Sequence, residues 1–483
     1  MSYNYPMCKL KKTIAVGISI IFIICGLLTP KTAQALTIKA ENELADEFLK
    51  AVFLQYEIIK DPVINNYINK VGQKIVAKMT PQPFSYKFYM VHQDVYNAFA
   101  GPAGNIFIFS GLFEALESED ELAALLSHEI AHVSCRHISE MITQNKKTSM
   151  ATMAGVVAGI LVGLGGASAI GSALTIGSMA AGQSVALAYS REHEMQADQI
   201  GQTYLKAAGY DLNGLLSILK KIRAVDWFDT GEIPTYLKTH PATEERIIYL
   251  DNLLENEHPL PLKQNYEFQR AHTRVIALYG YNNTAMQRFA EAIKKNPKNS
   301  MANYGYGLLL ERNGNPKAAI DHLKIVLKNH PQDDSLKVDL GRVFFLAGEY
   351  TNSIAILTPV SDNGPESDLY LGRSQMALER NEEAAATFTN LLEKYPDNEE
   401  VLFFLGQTEG KLSQFAGAHY HLGEYYVKKN DYRLATFHFK KALEYEKDAE
   451  KIKKIKKFLK DMETPHSFFG NSKEKDSEKT GRF

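Results

Sequence analysis

A period of 34 residues runs through the second half of this 483-residue chain. Pro297, Pro331 and Pro365 stand 34 apart, and Pro396 follows 31 later. Ala285 and Ala319, Gly307 and Gly341, and Gly372 and Gly406 repeat at the same interval of 34. Such a period belongs to helix–turn–helix units in which small residues let paired helices approach and proline marks the turn between units. One unit cannot bury its apolar face alone, so the units must stack into an α-solenoid with a continuous core and an extended surface for peptides or partner proteins. The phase slips near Pro365, and Leu422 and Gly423 follow Gly406 by about half a repeat, with Ala435 beyond them, which predicts displaced or shared helices toward the end. The tyrosines and phenylalanines of the repeats are read as core, with no binding residue among them.

A chain this long exceeds what one hydrophobic core can serve, so at least one further domain precedes the repeats. Composition is that of an ordinary globular protein, 45% apolar and 23% charged. The formal net charge of -2 lacks the basic surplus that a nucleic-acid binder needs, and no nucleic-acid partner is expected. At the start, Lys9, Lys11 and Lys12 precede an apolar run from Ile14 to Leu28, and Ala33-Gln34-Ala35 gives the small-x-small pattern of a cleavage site. Residues 1–35 therefore read as a signal peptide, since a run this short falls below the roughly 20 residues of a membrane span. Cleavage after Ala35 removes Cys8 and Cys25 and leaves Cys135, read as a small buried apolar residue.

The chemistry is concentrated between these two regions. Ser118 and Glu121 have capping-box spacing, and Leu122, Leu125 and Leu126 follow at helical periodicity, so a helix starting near Ser118 carries His128-Glu129-Ile130-Ala131-His132. Imidazoles four residues apart lie one above the other and reach one ion from the same face. Glu129 is rotated off that line, placed to take a proton from water rather than to bind metal. A catalytic zinc site takes three protein ligands. Tyr189 to Asp198 reads as a second helix running to a stop at Gly209; on it Glu194 and Asp198 are again four apart, Glu194 as third ligand and Asp198 to hold the outer nitrogen of a ligand histidine.

H-E-x-x-H followed by Ser190-Arg191-x-x-Glu194-x-x-Ala197-Asp198-x-x-Gly201 resembles the gluzincin family of HtpX and the CAAX prenyl proteases over about residues 40 to 250. Asn97-Ala98-Phe99-Ala100 before the strand-like Ile106 to Phe109, and His240-Pro241 with Arg246, match two further elements of the family. Gly101-Pro102-Ala103-Gly104-Asn105 departs from the family's usual Pro-Gly-Gly run after Asn-Ala-Phe. The resemblance implies that the strand with Ile106 and Ile108, following Asn97, is an active-site edge strand on which substrate backbone pairs. It also implies that His240 either occupies the open zinc position and holds the enzyme shut or donates to the transition state. Arg246 belongs to the supporting shell. The implied reaction is peptide-bond hydrolysis with one Zn²⁺ per chain.

The repeats have the tetratricopeptide length. Together with the leader they resemble periplasmic members of the family, which implies substrates among misfolded or misassembled outer-membrane proteins and a repeat domain that docks substrate or the assembly machinery. The alternative is a chaperone-like scaffold with gated or minor proteolysis. Between the two helices, Thr148 to Ser190 contains no Asp, Glu, Lys or Arg; it reads as an apolar, glycine-rich helical hairpin, either buried against the core or acting as a lid or a peripheral membrane contact. The expected fold is mostly α: an α+β zincin-like metallopeptidase domain with a small sheet at 36–258, an α-solenoid of tetratricopeptide repeats at 259–463, and a disordered tail at 464–483. Glu257 to Pro261 serves as linker.

Overall fold

The computed structural model describes residues 36–144, 189–228, 235–241, 243–255, 265–361 and 363–463. The expected signal peptide, the apolar hairpin up to residue 188, the linker and the charged tail lie outside the described residues. Among the described residues no helix is long and apolar enough to cross a membrane. The chain divides into two compact units, Met1–Gly280 and Tyr281–Phe483.

In the first unit the elements run α1 (Ile38–Gln55), α2 (Pro62–Val76), β1 (Lys87–Val91), β2 (Ala98–Ala100), β3 (Asn105–Phe109), α3 (Ser110–Ala115), α4 (Glu119–Ser134), α5 (His137–Gln144), α6 (Arg191–Ala207), α7 (Asn213–Phe228), α8 (Thr235–Thr239), α9 (Glu244–Leu254) and α10 (Tyr266–Tyr279). The sheet has the order β1-β3-β2, with β1 parallel and β2 antiparallel to β3. Every residue of β3 is buried. Its alternation splits two cores: Ile106 and Ile108 pack with Leu122, Leu125 and Leu126 of α4, while Phe107 and Phe109 pack with Leu44, Phe48 and Val52 of α1 and with Phe99. A strand covered on both faces reads as a continuous apolar run.

The topology corrects the edge-strand expectation for Ile106 and Ile108. β3 is paired on both sides, so its backbone groups are engaged, and the outer strand beside it is β2, with Asn97 immediately before it. The extended apolar character of Ile106 to Phe109 reflects double-sided burial, not exposure at a rim.

α4 begins where its cap dictates. The Ser118 hydroxyl accepts from the Glu121 N–H at 3.1 Å, and Glu121 accepts in return from the Glu117 N–H at 2.7 Å. α6 is capped by Ser190, which accepts from the His193 N–H at 3.2 Å, and the chain leaves it through Gly209 at φ +75°. The two helices pack directly against each other, with Gly201 of α6 against the Ser127 and His128 backbone of α4.

The helix Tyr266–Tyr279, placed with the repeats on periodicity, packs in the first unit instead. Asp61 caps α2 by accepting from Val63 and Ile64, and its second oxygen accepts from buried Arg274 Nε at 2.6 Å, while Phe268, Ala271 and Val275 enter the first unit's core.

The second unit contains α11 (Asn282–Lys295), α12 (Ser300–Arg312), α13 (Pro316–Asn329), α14 (Asp334–Leu346), α15 (Tyr350–Leu357), α16 (Pro365–Ala377), α17 (Asn381–Lys394), α18 (Glu399–Lys411), α19 (Phe415–Lys428), α20 (Tyr432–Tyr445) and α21 (Ala449–Glu463). Consecutive helices pack in pairs, and the periodic glycines sit at the crossings: a Cβ on Gly341 would meet Leu357 at 2.4 Å, and one on Gly372 would meet Phe388 at 2.5 Å. The phase slip has a local cause. α15 spans 8 residues where α13 and α17 span 14, and it ends in a 3-10 turn at Thr358–Val360, so the following helix arrives early.

Candidate metal centre

α4, α6 and the turn after α8 bring His128, His132, Glu194 and His240 together, and one donor atom from each lies within 4.8 Å of all the others. All four are buried. His128 Nε2 stands 3.1 Å from His132 Nε2, 3.3 Å from His240 Nδ1 and 3.5 Å from Glu194 Oε2. Glu194 Oε1 stands 3.4 Å from His132 Nε2 and 3.0 Å from His240 Nδ1. A tetrahedral ion with bonds of about 2.0–2.1 Å has donor–donor edges of roughly 3.3–3.4 Å. The quoted separations of 3.0–3.5 Å lie near that edge length, with Glu194 turning one oxygen toward His128 and the other toward His132 and His240.

Charge points the same way. Three buried carboxyl groups, Glu129, Glu194 and Asp198, outnumber the one buried guanidinium they face, Arg246. Burial pulls the His128 imidazole down, but hydrogen bonds to Asp198 and Glu194 outweigh it and hold His128 up at about 9. Burial pushes the neighbouring His132 imidazole well below its usual value, so the two imidazoles of the motif do not titrate alike. Burial also opposes ionisation of Glu194 and Asp198, yet the Arg246 charge keeps both carboxyls below their usual range. A divalent cation matches that balance.

The surroundings hold these groups in place. Asp198 Oδ1 lies 3.0 Å from His128 Nδ1, and Arg246 reaches Asp198 through Nε at 2.5 Å and Nη2 at 2.8 Å and Glu194 through Nη1 at 2.5 Å. Glu129 is fully buried on the sheet side of α4, and burial raises its carboxyl; the Ala100 backbone N–H opposes this. Neither Glu129 oxygen has a well-formed hydrogen bond among the described residues, and its Oε1 lies 3.6 Å from His240 Nε2. An ionisable pair of oxygens left thus in a dry site is costly unless something arrives to meet it.

Four neighbours were not singled out from the sequence for this role. His137 Nδ1 lies 2.9 Å from His132 Nδ1, and His137 Nε2 lies 3.0 Å from Gln196 Oε1. Tyr189 packs its ring 3.9 Å from that of His132, and Tyr236 stacks on His240 with centroids 4.7 Å apart. Both tyrosine hydroxyls are buried without a hydrogen-bond partner among the described residues. Tyr236 and His240 are four apart on and just after α8, a spacing that places one ring over the other. Cys135 is half-buried beside this region, and burial raises its thiol.

With the geometry in hand, comparison with known proteins fixes the class. Residues 62–254 match the model of peptidase family M48, and tetratricopeptide repeat models match residues 283–334, 311–365 and 366–398. The chain carries an M48 metallopeptidase domain followed by tetratricopeptide repeats. It is 31% identical over 279 residues to a putative beta-barrel assembly-enhancing protease of Vibrio cholerae, covering 57% of each chain. It is 26% identical over 373 residues to the beta-barrel assembly-enhancing protease of Escherichia coli K12, covering 76% of this chain and 75% of that one. A mitochondrial metalloendopeptidase of Schizosaccharomyces pombe, OMA1, is 25% identical over 217 residues, 44% of this chain and 61% of its own. The match spans 57% of the Vibrio protein and 52% of the Yersinia pestis beta-barrel assembly-enhancing protease, little more than half of either.

Proposed function

We propose that the first unit is a zinc endopeptidase in which His128, His132 and Glu194 hold the ion and Glu129 is the general base. The observation that carries this reading is the buried quartet of donors within 4.8 Å of one another, with a buried carboxyl group beside it that has no well-formed hydrogen bond among the described residues. Two imidazoles and a carboxylate suit zinc among the common ions. Zinc bound there supplies a Lewis acid for the scissile carbonyl and a water activated near neutral pH.

The chain's own groups do the rest. Asp198 and His137 fix the outer nitrogens of His128 and His132, and Arg246 balances the charge of Glu194 and Asp198. Glu129, raised by burial toward the working range of a general base, takes the proton of the attacking water and returns it to the leaving amine. β2, the outer strand of the sheet, follows Asn97 and has Ala100 beside Glu129; its three residues are buried, so an extended substrate would pair with it only in an opened state. His240 places Nδ1 at the fourth corner, which supports a closed state in which it must withdraw before substrate enters.

The leader pattern and the names of the bacterial relatives support a periplasmic protein acting on outer-membrane proteins, with the repeats docking them or their assembly machinery. Glu129→Gln tests the peptidase reading against a chaperone-like scaffold. Turnover of an unfolded substrate should fall by about 10²- to 10⁴-fold with zinc still bound; unchanged turnover with zinc in place would falsify it.

A further inference from the structure

The last helix of the second unit carries charge of one sign along its outer face. From Lys451 to Lys460, α21 holds six lysines and neither a carboxylate nor an arginine. The other charged helices of the unit mix both signs, as α13 does with Lys317, Asp321, Lys324 and Lys328. Packing sorts the two faces of α21. Ile455 is fully buried, Phe458 stacks on Phe439 of α20 with ring centres 5.3 Å apart, and Leu459 and Met462 join the same cluster. Lys453, Lys456, Lys457 and Lys460, at i, i+3, i+4 and i+7, fall on the opposite side, and all four are exposed.

This arrangement is not the one that serves the helix itself. Like charges three and four residues apart repel across a helix surface, and here Lys453 stands beside Lys456 and Lys457, while Lys460 stands beside the same two. Alternating signs would keep the end of the array soluble and stabilise the helix as well. Relief reaches only the flank, where Lys454 lies 3.5 Å from Glu424 Oε1 and 5.1 Å from the Tyr420 ring centre. Lys453, Lys456 and Lys457 have no carboxylate partner among the described residues.

We propose that this face of α21 binds an anionic lipid surface. Protein interfaces are depleted in lysine and anchored by aromatic side chains and arginine, and this face presents neither anchor. An ammonium is a compact, strongly hydrated charge on a flexible stem, suited to a field of mobile headgroups rather than to a fixed bidentate geometry. Clustered lysines at a negatively charged bilayer surface gain roughly fivefold in affinity each. Because the apolar stripe is engaged against α20, the contact is electrostatic and peripheral, and no side chain need enter hydrocarbon. The packing of Ile455 and Phe458 also holds the lysines on one side of a formed helix before any lipid is met. This inference is independent of the peptidase reading.

The test is co-sedimentation of the full chain carrying Glu129→Gln with vesicles of phosphatidylcholine alone and of phosphatidylcholine mixed with phosphatidylglycerol. Partition into the neutral vesicles sets the baseline owed to apolar segments. The anionic vesicles should exceed it by at least about 10²-fold, an excess that shrinks as salt rises. Lys453→Gln, Lys456→Gln and Lys457→Gln combined should cut the excess by about 10²-fold. The circular dichroism melt of that variant should stay at or above that of the parent, because repulsion is relieved. Lys317→Gln, Lys324→Gln and Lys328→Gln on α13 make the same change in net charge at exposed positions and should leave the excess in place. Equal partition into both kinds of vesicle, an excess that survives the α21 substitutions, an equal loss from the α13 substitutions, or stronger capture by duplex DNA at matched charge concentration overturns the proposal.

Discussion

His137 Nδ1 lies 2.9 Å from His132 Nδ1, and this contact decides which nitrogen of His132 faces the donor cluster. The Gln196 carboxamide oxygen, 3.0 Å from His137 Nε2, can only accept, so His137 carries its proton on Nε2. Its Nδ1 is then a lone pair that accepts from His132 Nδ1–H. His132 Nε2 is left unprotonated toward the donor cluster.

Replacing His137 with Phe keeps the ring against His193, now 4.3 Å from it, and deletes the acceptor. Zinc affinity, measured by competition with a chromophoric chelator, should fall by about 10- to 100-fold, the usual cost of losing an outer partner of a metal-bound imidazole. Gln196→Ala should weaken binding less, because His137 keeps its place. An affinity untouched by His137→Phe would mean that the contact is packing and nothing more.

His240→Ala distinguishes the two roles that the sequence left open. His240 Nδ1 lies 3.0 Å from Glu194 Oε1 and 3.3 Å from His128 Nε2, within the donor cluster, where under the proposed gating role it would take the open position. Removing it should raise kcat/KM on a small unfolded substrate by the reciprocal of the open-state population. Zinc should remain bound by the other three donors. A fall in kcat at unchanged zinc content would instead make His240 a transition-state donor.

The parts legible in the sequence were those where a local rule and the tertiary outcome agree. Ser118 with Glu121 set the start of α4, Gly209 stops α6, whose start lies at Arg191 after the Ser190 cap rather than at Tyr189, and the i, i+4 pairs His128/His132 and Glu194/Asp198 each present one face. What stayed hidden depends on three-dimensional meeting. His137 sits one helix past the motif, and its role exists only because Gln196 of α6 reaches it. The apolar run Ile106 to Phe109 looks the same whether a strand is at an edge or covered on both faces, so only the pairing with β1 and β2 reveals it as central. Tyr266–Tyr279 has repeat-like periodicity, and the Arg274–Asp61 pair draws it to the first unit. The early arrival of α16 follows from the short α15, which spacing alone registers as a slip without a cause.

Chelation should loosen one unit selectively. Buried Glu129, Glu194 and Asp198 outnumber the one guanidinium among them, Arg246, so loss of a divalent ion from the proposed centre removes binding free energy from the folded state of the first unit. Hydrogen exchange with and without a chelator should show faster exchange across α4 and α6 and no change across α12 to α20. Uniform acceleration through both units, or none anywhere, contradicts a metal centre confined to those two helices.

Gly201 ties packing to metal affinity. A Cβ there would stand 3.1 Å from the Ser127 carbonyl oxygen and 3.3 Å from His128 Cα, both backbone atoms of α4 that cannot rotate aside. A branched side chain must therefore push α6 off α4, and the two helices carry the two halves of the donor set: His128 and His132 on one, Glu194 and Asp198 on the other. Gly201→Val should cost about 1–3 kcal/mol in stability and should also weaken zinc binding. Gly372→Val, which crowds Phe388 in the repeats at the closer approach of 2.5 Å, should destabilise its own unit and leave zinc affinity as it was. If both substitutions lower stability and neither alters zinc affinity, the spacing between α4 and α6 is not what positions the donors.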